Sequence, residues 1–438
     1  TRKTKKMVGT MAKIDDSVKK KVPELRFKGF TDDWEERKLG ELSQKISVGI
    51  ATSSSKHFSS QDQGVPFIKN QDIKENRINT KNLEYISKEF DNKNKNKRVR
   101  QGDIITARTG YPGLSAVVPK ELEGAQTFTT LITRPISEMI LSEYISIFIN
   151  SPYGMKQISG MEAGGAQKNV NAGILQNLLI PLPSLDEQKQ ISNFILKLDN
   201  TITLHQRKLD LLKEQKKGYL QKMFPKNGSK IPELRFAGFA DDWEERKLGD
   251  TETHFTDGNY GESYPSTKDM SDKANGIPFL RGSDFSNGYL DSSNANYIKP
   301  EKHAELTSGH IKQDDIVLAV RGSLGTLGYA TKENEGWNIN SQLAILRTNK
   351  SEISGMFLIQ YLLGSKGQKE IFSRNTGTAL KQLPIKQLKD IPVPVPTLLE
   401  QKKIGSFFKQ LDNTIALHQR KLDLLKEQKK GFLQKMFV

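Results

Sequence analysis

The 438-residue chain contains two copies of one unit, and this internal repeat constrains its fold more than any other feature. The segment PELRFKGFTDDWEERKLG at 23–40 returns at 232–249 with 16 of 18 residues identical. The segment 198–224 returns at 411–437 with 25 of 27 residues identical. Between these anchors the copies diverge but stay in register. Each copy is therefore predicted to form the same kind of domain followed by the same helix.

The first part of each copy is predicted to be a globular domain of mixed α/β structure. Short apolar runs such as PFI, DIITA and LITRP are typical of strands. The segments SEYISIFINSPYGMKQI and SGMFLIQYLLGSKGQKEI carry aromatic and aliphatic residues at helical spacing, which indicates amphipathic helices. The predicted segments are a basic N-terminal arm at 1–21, a first domain at 22–183, a central helix at 184–224, a turn-rich linker at 225–230, a second domain at 231–396 and a C-terminal helix at 397–438.

A long helix with coiled-coil periodicity follows each globular part. Ser184 lies three residues before Glu187, and Thr397 three residues before Glu400, which is the spacing of a capping box at a helix start. From there apolar residues recur at alternating steps of four and three, the pattern of a coiled-coil seam. The predicted seam comprises Ile191, Ile195, Leu198, Ile202, His205, Leu209 and Leu212 in the first helix, and Ile404, Phe408, Leu411, Ile415, His418, Leu422 and Leu425 in the second.

The two helices are predicted to pair with each other; the alternative is that each packs only on its own domain. A parallel pair would put the domains side by side, and an antiparallel pair would put them at opposite ends of a rod roughly 60 Å long. An antiparallel pair has a twofold axis that matches the dyad of a DNA duplex. The predicted fold is α/β: two tandem mixed α/β domains joined by two long helices in an antiparallel coiled coil, with an internal pseudo-twofold.

The charge of the chain favours a polyanionic partner. The net charge is +16, and the segment 1–21 contributes +6 of it, with eight Lys or Arg against Asp15 and Asp16. Such a balance indicates DNA or RNA ahead of an anionic membrane. No apolar run of 18 residues and no signal-peptide pattern is present, so a cytoplasmic location is expected, without membrane contact.

Motifs for catalysis and for metal binding are missing from the sequence. The chain has no cysteine, its six histidines are scattered, and no metal site is expected. Neither the phosphate-binding GxxxxGK[ST] nor the methyltransferase pattern [DNS]PP[YF] occurs. The ExK triplets at 187–189 and 400–402 match the end of a nuclease motif, but both fall in the first turn of a long helix, where the Glu is predicted to cap. An enzyme acting alone is thus disfavoured.

The ordered set of motifs, present twice, resembles the specificity subunit of Type I restriction–modification systems. Quoted from the first copy, the shared elements are the W…RKLGEL opening, the GxPFxxxxD and GDI…R.G segments and the P.PSLDEQKQI…LD..I..H…L..LK..KKG.LQ..F helix, and the resemblance extends over nearly all of 22–438. The resemblance implies two target-recognition domains that read the halves of a split, asymmetric DNA site. It also implies a helical spacer that docks two methyltransferase subunits, with restriction subunits joining the assembly.

The resemblance further implies a chain without catalytic residues or cofactors of its own. S-adenosylmethionine, and ATP with Mg²⁺, would belong to the partner subunits. A second hypothesis from a different class is a structural tether, in which the repeated domains bind protein ligands and the coil is a bridge between them. Specific, salt-sensitive binding to duplex DNA would separate the two hypotheses.

Residues that contact DNA are expected where the two copies diverge, in loops at the ends of matched strands. Bases are read by forked donors and amides, and phosphates are held by Lys, Arg and backbone N–H groups. The basic run 93–100 suits phosphates, with Lys95, Lys97 and Arg98 as candidates; a solvated loop is the alternative. The loop candidates are Lys69, Asn70, Gln71, Arg108, Thr109, Tyr111, Gln167, Lys168 and Asn169 in the first copy, and Arg281, Ser283, Asp284, Arg321, Ser323, Lys381 and Gln382 in the second.

Overall fold

The computed structural model describes residues 11–13, 22–161, 169–226, 228–377 and 381–437. The chain divides into two compact units, one made of Thr1–His205 with Lys421–Val438 and the other of Gln206–Arg420; they are called unit 1 and unit 2 below. Each unit contains one copy of the globular part and a stretch of both long helices. The predicted basic arm at 1–21 lies outside the described residues except for 11–13.

Unit 1 is a mixed α/β domain built on two four-stranded sheets. One sheet has the order β11 (Ser115–Val117), β10 (Ile104–Thr106), β13 (Leu131–Pro135), β4 (Ser43–Val48) and is antiparallel throughout. The other has the order β12 (Gln126–Thr127), β6 (Val65–Ile68), β9 (Glu84–Ile86), β5 (Phe58–Ser59), in which β12 and β6 are parallel. Smaller antiparallel pairs join 11–13 with 25–27, 35–38 with 179–182, and 73–74 with 77–78.

The element bounds in unit 1 follow the predicted strand positions. The strands PFI, DIITA and LITRP fall in β6, β10 and β13, as predicted. The elements are β1 Met11–Lys13, β2 Leu25–Phe27, β3 Glu35–Lys38, β4 Ser43–Val48, β5 Phe58–Ser59, β6 Val65–Ile68, β7 Ile73–Lys74, β8 Arg77–Ile78, β9 Glu84–Ile86, α1 Lys88–Lys93, β10 Ile104–Thr106, β11 Ser115–Val117, β12 Gln126–Thr127, β13 Leu131–Pro135, α2 Ser142–Asn150, α3 Pro152–Met161, α4 Ala172–Asn177, β14 Leu179–Leu182 and α5 Leu185–Lys222, which continues into unit 2.

Unit 2 repeats this architecture with one larger sheet. Its six-stranded sheet has the order β16-β25-β22-β23-β20-β19, and its four-stranded sheet the order β17-β21-β18-β24. The elements are β15 Glu244–Lys247, β16 His254–Asp257, β17 Met270–Ser271, β18 Ile277–Leu280, β19 Phe285–Ser286, β20 Tyr289–Leu290, β21 Asn296–Ile298, α6 Pro300–Glu305, β22 Ile316–Ala319, β23 Leu327–Tyr329, β24 Asn338–Ile339, β25 Leu343–Arg347, α7 Gly355–Leu363, α8 Ser365–Ser373, α9 Ile385–Lys389, β26 Pro392–Val395 and α10 Leu398–Lys435, which ends in unit 1.

Each predicted amphipathic helix of the globular parts is two helices in the structure. In unit 1 the break lies at Ser151, which is extended and precedes Pro152. Proline disfavours helical backbone at the residue before it and lacks the N–H that the helix would need, so α2 ends there. In unit 2 the extended Gly364 separates α7 from α8.

The long helices run antiparallel to each other within both units. In unit 1 the rings of Phe194 and Phe432 lie 4.9 Å apart, and Lys429 Nζ lies 2.5 Å from Asp199 Oδ1, so residue numbers rise along α5 while they fall along α10. In unit 2 the pairs Lys216–Asp412, at 2.6 Å, and Tyr219–Phe407, at 5.0 Å between ring centroids, show the same direction. The predicted antiparallel coil is confirmed.

The predicted seam residues are turned away from solvent to different degrees. Apolar burial along one stripe is what holds two such helices together, since the outer faces carry charged residues. Ile191, Ile195, Leu209, Leu212, Ile404, Phe408, Ile415 and Leu422 are buried, and Leu198, Ile202, His205, Leu411, His418 and Leu425 are half-buried.

The start of each long helix differs from the predicted capping box. Ser184 Oγ does accept a hydrogen bond from the backbone N–H of Glu187, at 3.4 Å. The Glu187 carboxylate, however, does not return to the helix start: it accepts two hydrogen bonds from Arg26, at 2.6 and 2.8 Å, and one from Trp34 Nε1 at 3.1 Å. Glu400 is likewise held by Arg235. A buried carboxylate is better satisfied by a guanidinium than by a lone backbone N–H.

The end of each long helix completes a domain core. Met436 and Phe437, at the end of α10, are buried in the core of unit 1, where the Phe437 ring contacts Tyr144 and Phe148. Phe224, just after α5, is buried in the core of unit 2 and contacts Trp243, Phe357 and Tyr361. The helix ends are thus part of the hydrophobic cores, which accounts for the repeat of the Met–Phe pair at 223–224 and 436–437.

Candidate nucleic-acid interface

In unit 1, the side chain of Asn70 joins two of the loops that were predicted to contact DNA. Its Oδ1 accepts a hydrogen bond from the backbone N–H of Arg108 at 2.8 Å. Its Nδ2 lies 3.4 Å from Thr109 Oγ1 and 3.2 Å from Thr129 Oγ1, within donating distance of both. The loops after β6 and β10 therefore form one surface.

The third predicted loop of unit 1 meets the same surface at Arg108. The N–H of Val170 donates to the Arg108 carbonyl at 3.2 Å, and Arg108 Nε donates to the Val170 carbonyl at 3.3 Å. Asn169 precedes this contact and is exposed. Gln167 and Lys168 lie outside the described residues. As far as the loop is described, the three predicted groups are brought together.

Tyr111 projects from this surface on a tightly bonded turn. Its side chain is 70% exposed. The turn is flanked by Gly110 and Gly113, which have φ of +78° and +91°, a backbone region that favours glycine. The backbone N–H of Gly113 donates to the carbonyl of Ala107 at 2.9 Å and closes the loop. An aromatic ring held out in this way can stack on a nucleic-acid base.

Lys69 and Gln71 lie with Asn70 in the loop after β6, and the buried carboxylate of Asp72 holds the backbone of this loop. Asp72 Oδ2 accepts a hydrogen bond from the backbone N–H of Lys69 at 2.8 Å. Burial raises the pKa of Asp72, and the hydrogen bond from Lys69 opposes that shift. Lys69 Nζ pairs with Glu84 at 2.5 Å, whereas Gln71 is exposed. Gln71 is therefore the freer of the two side chains.

In the basic run 93–100 of unit 1, some side chains are bound within the protein and others face solvent. Arg98 Nε donates to Asp91 Oδ1 at 2.9 Å. Burial acts to raise the pKa of Asp91, but the hydrogen bonds from Arg98 and Gln126 outweigh it, and the pKa is lowered. Lys95 is exposed and Lys97 is half-buried. Arg98 thus holds the run in place, while Lys95 faces solvent, where a phosphate could bind.

Unit 2 assembles the equivalent loops around Arg321. Its Nε donates to Gln382 Oε1 at 3.2 Å, and the two residues form a backbone bridge. A Cβ placed on Gly282 would lie 3.4 Å from Ser323, so the loop after β18 contacts the loop after β22. Ser323 and Lys381 are both exposed. The three predicted groups of unit 2 therefore also lie together.

Asp284 was predicted to contact bases, and its position in the structure does not allow this. Its side chain is buried and accepts a hydrogen bond from the backbone N–H of Arg281 at 2.8 Å. Arg281 Nε lies 3.2 Å from the same carboxylate, and Ser283 Oγ is 3.0 Å from its other oxygen. A buried, saturated carboxylate cannot reach a base edge, so Asp284 positions Arg281 instead. Asp72 has the same role in the first copy.

Sequence reasoning missed Asp257 and Tyr260 in unit 2. The guanidinium carbon of Arg321 lies 5.3 Å from the centre of the Tyr260 ring, and the Tyr260 hydroxyl donates to the carbonyl of Ser341 at 3.1 Å. Burial raises the pKa of Asp257, and the positive charge of Arg321 opposes this rise. Burial is also the first cause of the raised pKa of Tyr260.

A comparison of the two sequence copies could have pointed to the loop that contains Asp257 and Tyr260. Gly49 and Gly258 are matched at an offset of 209, and the residues that follow them differ between the copies. Both glycines pack against backbone: a Cβ on Gly258 would lie 2.2 Å from the carbonyl oxygen of Asn340. A matched glycine followed by residues that differ between the copies is therefore the sign of a loop that packs closely on backbone but varies in sequence.

The described residues contain neither a candidate membrane span nor a candidate metal-binding cluster. None of the helices in the described part is long and apolar enough to cross a membrane. Within the same residues, no three His, Cys, Asp or Glu side chains are grouped as metal ligands would be.

Both units thus present a polar surface built from several loops on an α/β scaffold, and each contains a stretch of both long helices. This is the organisation of a protein with two related recognition surfaces. The family model of the Type I restriction modification DNA specificity domain matches the chain twice, at 31–214 and 240–427. The chain belongs to this family and is a DNA-recognising specificity subunit of the Type I class.

Curated relatives agree over most of the chain. A putative type I restriction enzyme MjaX specificity subunit of Methanocaldococcus jannaschii is 26% identical over 416 residues, which is 92% of each chain. The type I restriction enzyme StySPI specificity subunit of Salmonella potsdam is 23% identical over 367 residues, 80% of this chain and 76% of the relative.

Solved structures share the fold. The crystal structure of a Type I restriction-modification S subunit from M. genitalium superposes with a TM-score of 0.63 at 15% identity, covering 95% of this chain and 99% of the other. A chain from a structural study of type I R-M complex assembly gives 0.52 at 20% identity, covering 92% and 97%. At these identities the likeness shows the common fold alone.

Proposed function

We propose that the chain reads a bipartite, asymmetric DNA site, one half with the loops of each unit, and acts as a scaffold for methyltransferase and restriction subunits. The proposal that the two half-sites differ in sequence rests on one observation. The same strands in both units end in assembled polar loops, but equivalent positions in those loops carry different side chains.

The differences are chemical as well as conformational. Asn70 of unit 1 is matched by Gly282 in unit 2, and Thr109 by Arg321. Tyr111 is matched by Ser323. An amide, an arginine fork and an aromatic ring each favour different base edges or stacks, so identical scaffolds with different loops would select different bases.

The scaffold role is supported by leucines that both copies leave exposed on the long helices. Leu204 and its equivalent Leu417 are each 64% exposed, and Leu211 and Leu424 are 52% and 51% exposed. Exposed leucines at repeated positions of an otherwise charged helix are typical of a protein contact. Because the same surface occurs twice, it would accept two copies of one partner, the methyltransferase subunit.

The chemistry of modification and cleavage would reside on the partners. In this proposal S-adenosylmethionine is held by the methyltransferase subunits, and ATP with Mg²⁺ by the restriction subunits. Glu187 and Glu400, the acidic residues of the two ExK triplets, are buried and bound to arginines. They are therefore inaccessible to a phosphodiester.

Removing the loop side chains of unit 1 should relax one half of the site only. We expect the variant Asn70→Ala, Thr109→Ala, Tyr111→Ala, assembled with its methyltransferase partner, to lose base preference in one block of the selected sequence. A lost base contact costs about 1–3 kcal/mol of discrimination. Selection of duplexes from a randomised library by the wild type and the variant measures this directly.

The matched control is Lys95→Ala, which removes one exposed positive charge of the same unit. It should weaken binding to all sequences alike and reduce the salt dependence, because a phosphate contact carries no sequence information. If the triple variant selected the same two blocks as the wild type, the assignment of reading to these loops would be wrong.

Charging the exposed leucines should detach the partner without unfolding the chain. We expect Leu204→Glu with Leu417→Glu to lower the number of methyltransferase subunits bound per chain, measured by native mass spectrometry. Leu399→Glu is the control, since Leu399 is also 64% exposed but has no leucine at the equivalent position of the other helix. Full occupancy of the double variant would contradict docking at this surface.

A further inference from the structure

The backbone at Arg321 is fixed from two sides. Its N–H donates to the carbonyl of Gln342 at 3.2 Å, and its backbone bridges to Gln382. The preceding residue, Val320, accepts the N–H of Leu383 at 2.9 Å. Gly322 follows with φ of +68°, so the chain turns immediately after the arginine. Arg321 is thus presented at the tip of a bonded turn.

The side chain of Arg321 is also held on two sides. Gln382 Oε1 accepts its Nε–H at 3.2 Å. The Tyr260 ring lies against the guanidinium at 5.3 Å, and the Tyr260 hydroxyl is itself anchored on Ser341. A stacked arginine with a bonded Nε has lost most of its rotamer freedom before any ligand arrives.

The outer edge of this guanidinium is available. Arg321 is exposed, and its hydrogen bond to Gln382 engages Nε rather than the two Nη atoms. Those atoms present parallel donors in one plane. The group that accepts such a fork in the major groove is guanine, through O6 and N7.

We infer that Arg321 reads a guanine in the half-site bound by unit 2, with Gln382 and Tyr260 as positioning residues. This inference rests on the proposed function. Unit 1 has threonine at the equivalent position, Thr109, so the same contact is absent from its half-site.

A phosphate contact is the competing role, and the surroundings argue against it. Phosphate can be held by a mobile point charge, as on Lys381, which is exposed nearby. The guanidinium of Arg321 is instead held in one orientation by the Tyr260 ring and the Gln382 amide. A fixed orientation favours a planar partner with two acceptor atoms, such as guanine. Asp257 adds a negative charge close to Arg321, which would disfavour a phosphate at the same place.

The test uses the full chain with its methyltransferase partner and a randomised duplex library. The wild type should select guanine at one position of the block that the unit 1 triple variant leaves unchanged. Arg321→Ala should lose this preference by about 10- to 100-fold and keep all others. Replacing that guanine by 7-deazaguanine, which lacks the N7 acceptor, should weaken the wild type but leave Arg321→Ala unaffected.

Two further variants make the outcome decisive. Arg321→Lys keeps the charge and should still lose the guanine preference, because the fork is gone, which guards against a misfolded alanine variant. Lys381→Ala should keep the preference. If Arg321→Ala selects the same bases and binds all sequences more weakly, with a reduced salt slope, Arg321 holds a phosphate and the inference is overturned. A wild type that selects no sequence would instead refute the proposed function.

Discussion

Phe437→Ala is expected to destabilise unit 1 by about 3–5 kcal/mol, because the lost ring leaves a cavity in a closed core. Phe437 is 2% exposed and lies 5.4 Å from Phe148 and 5.7 Å from Tyr144 between ring centroids. Amide hydrogen exchange should speed up in α2, which packs against this ring, while α7 of unit 2 keeps its protection. A single substitution near the C-terminus would thus loosen a domain that begins some 400 residues earlier.

The repeat supplies the matched experiment for this prediction. Phe224→Ala removes the equivalent ring from unit 2 and should reverse the pattern, with faster exchange in α7 and unchanged exchange in α2. Phe372→Ala, at a 47% exposed phenylalanine, should leave both helices protected. If Phe437→Ala left α2 as protected as in the wild type, the helix end would not be part of the unit 1 core.

Glu187→Ala is expected to cost about 3–5 kcal/mol of unit 1 stability, since it leaves the Arg26 guanidinium buried without its counter-ion. The pair is 4% and 1% exposed in its side chains, and Glu187 also accepts the Trp34 N–H. Hydrogen exchange at the start of α5 should report the loss.

Replacing both Arg26 and Glu187 distinguishes the cost of an unpaired buried charge from the cost of lost packing. Arg26→Met with Glu187→Leu should be clearly more stable than Glu187→Ala, because no charge is then left unpaired. Equal destabilisation of the two variants would show that the ion pair matters only through its volume.

The periodic and repeated parts of this fold could be predicted from the sequence. The seam steps of four and three from Ile191 onward define a helix pair without knowledge of the partner, and the copied anchors define two equivalent domains. The seam pattern alone leaves the direction of the helices open, and the dyad of a DNA duplex favours the antiparallel pair. Phe194 against Phe432 and Tyr219 against Phe407 now establish it within the units.

The long-range polar contacts could not be predicted in this way. Glu187 has the spacing of a capping residue, and nothing local shows that Arg26, 161 residues away, takes its carboxylate. Asn70 was assigned to DNA from its loop position, but its amide also joins that loop to Arg108. Asp284 follows its strand as a base reader would, yet burial directs it to Arg281. The local sequence pattern predicts the secondary-structure element, whereas the hydrogen-bond partner of a side chain depends on the packed fold.

In the function proposed here, two divergent loop surfaces on one chain read the two halves of one site. The most direct test is to map methylated bases across a genome that carries this chain with its methyltransferase partner. Methylation is expected within one motif of two short, unlike blocks separated by a fixed gap of unspecified bases. A single continuous motif, or methylation that did not change when the chain was deleted, would contradict it.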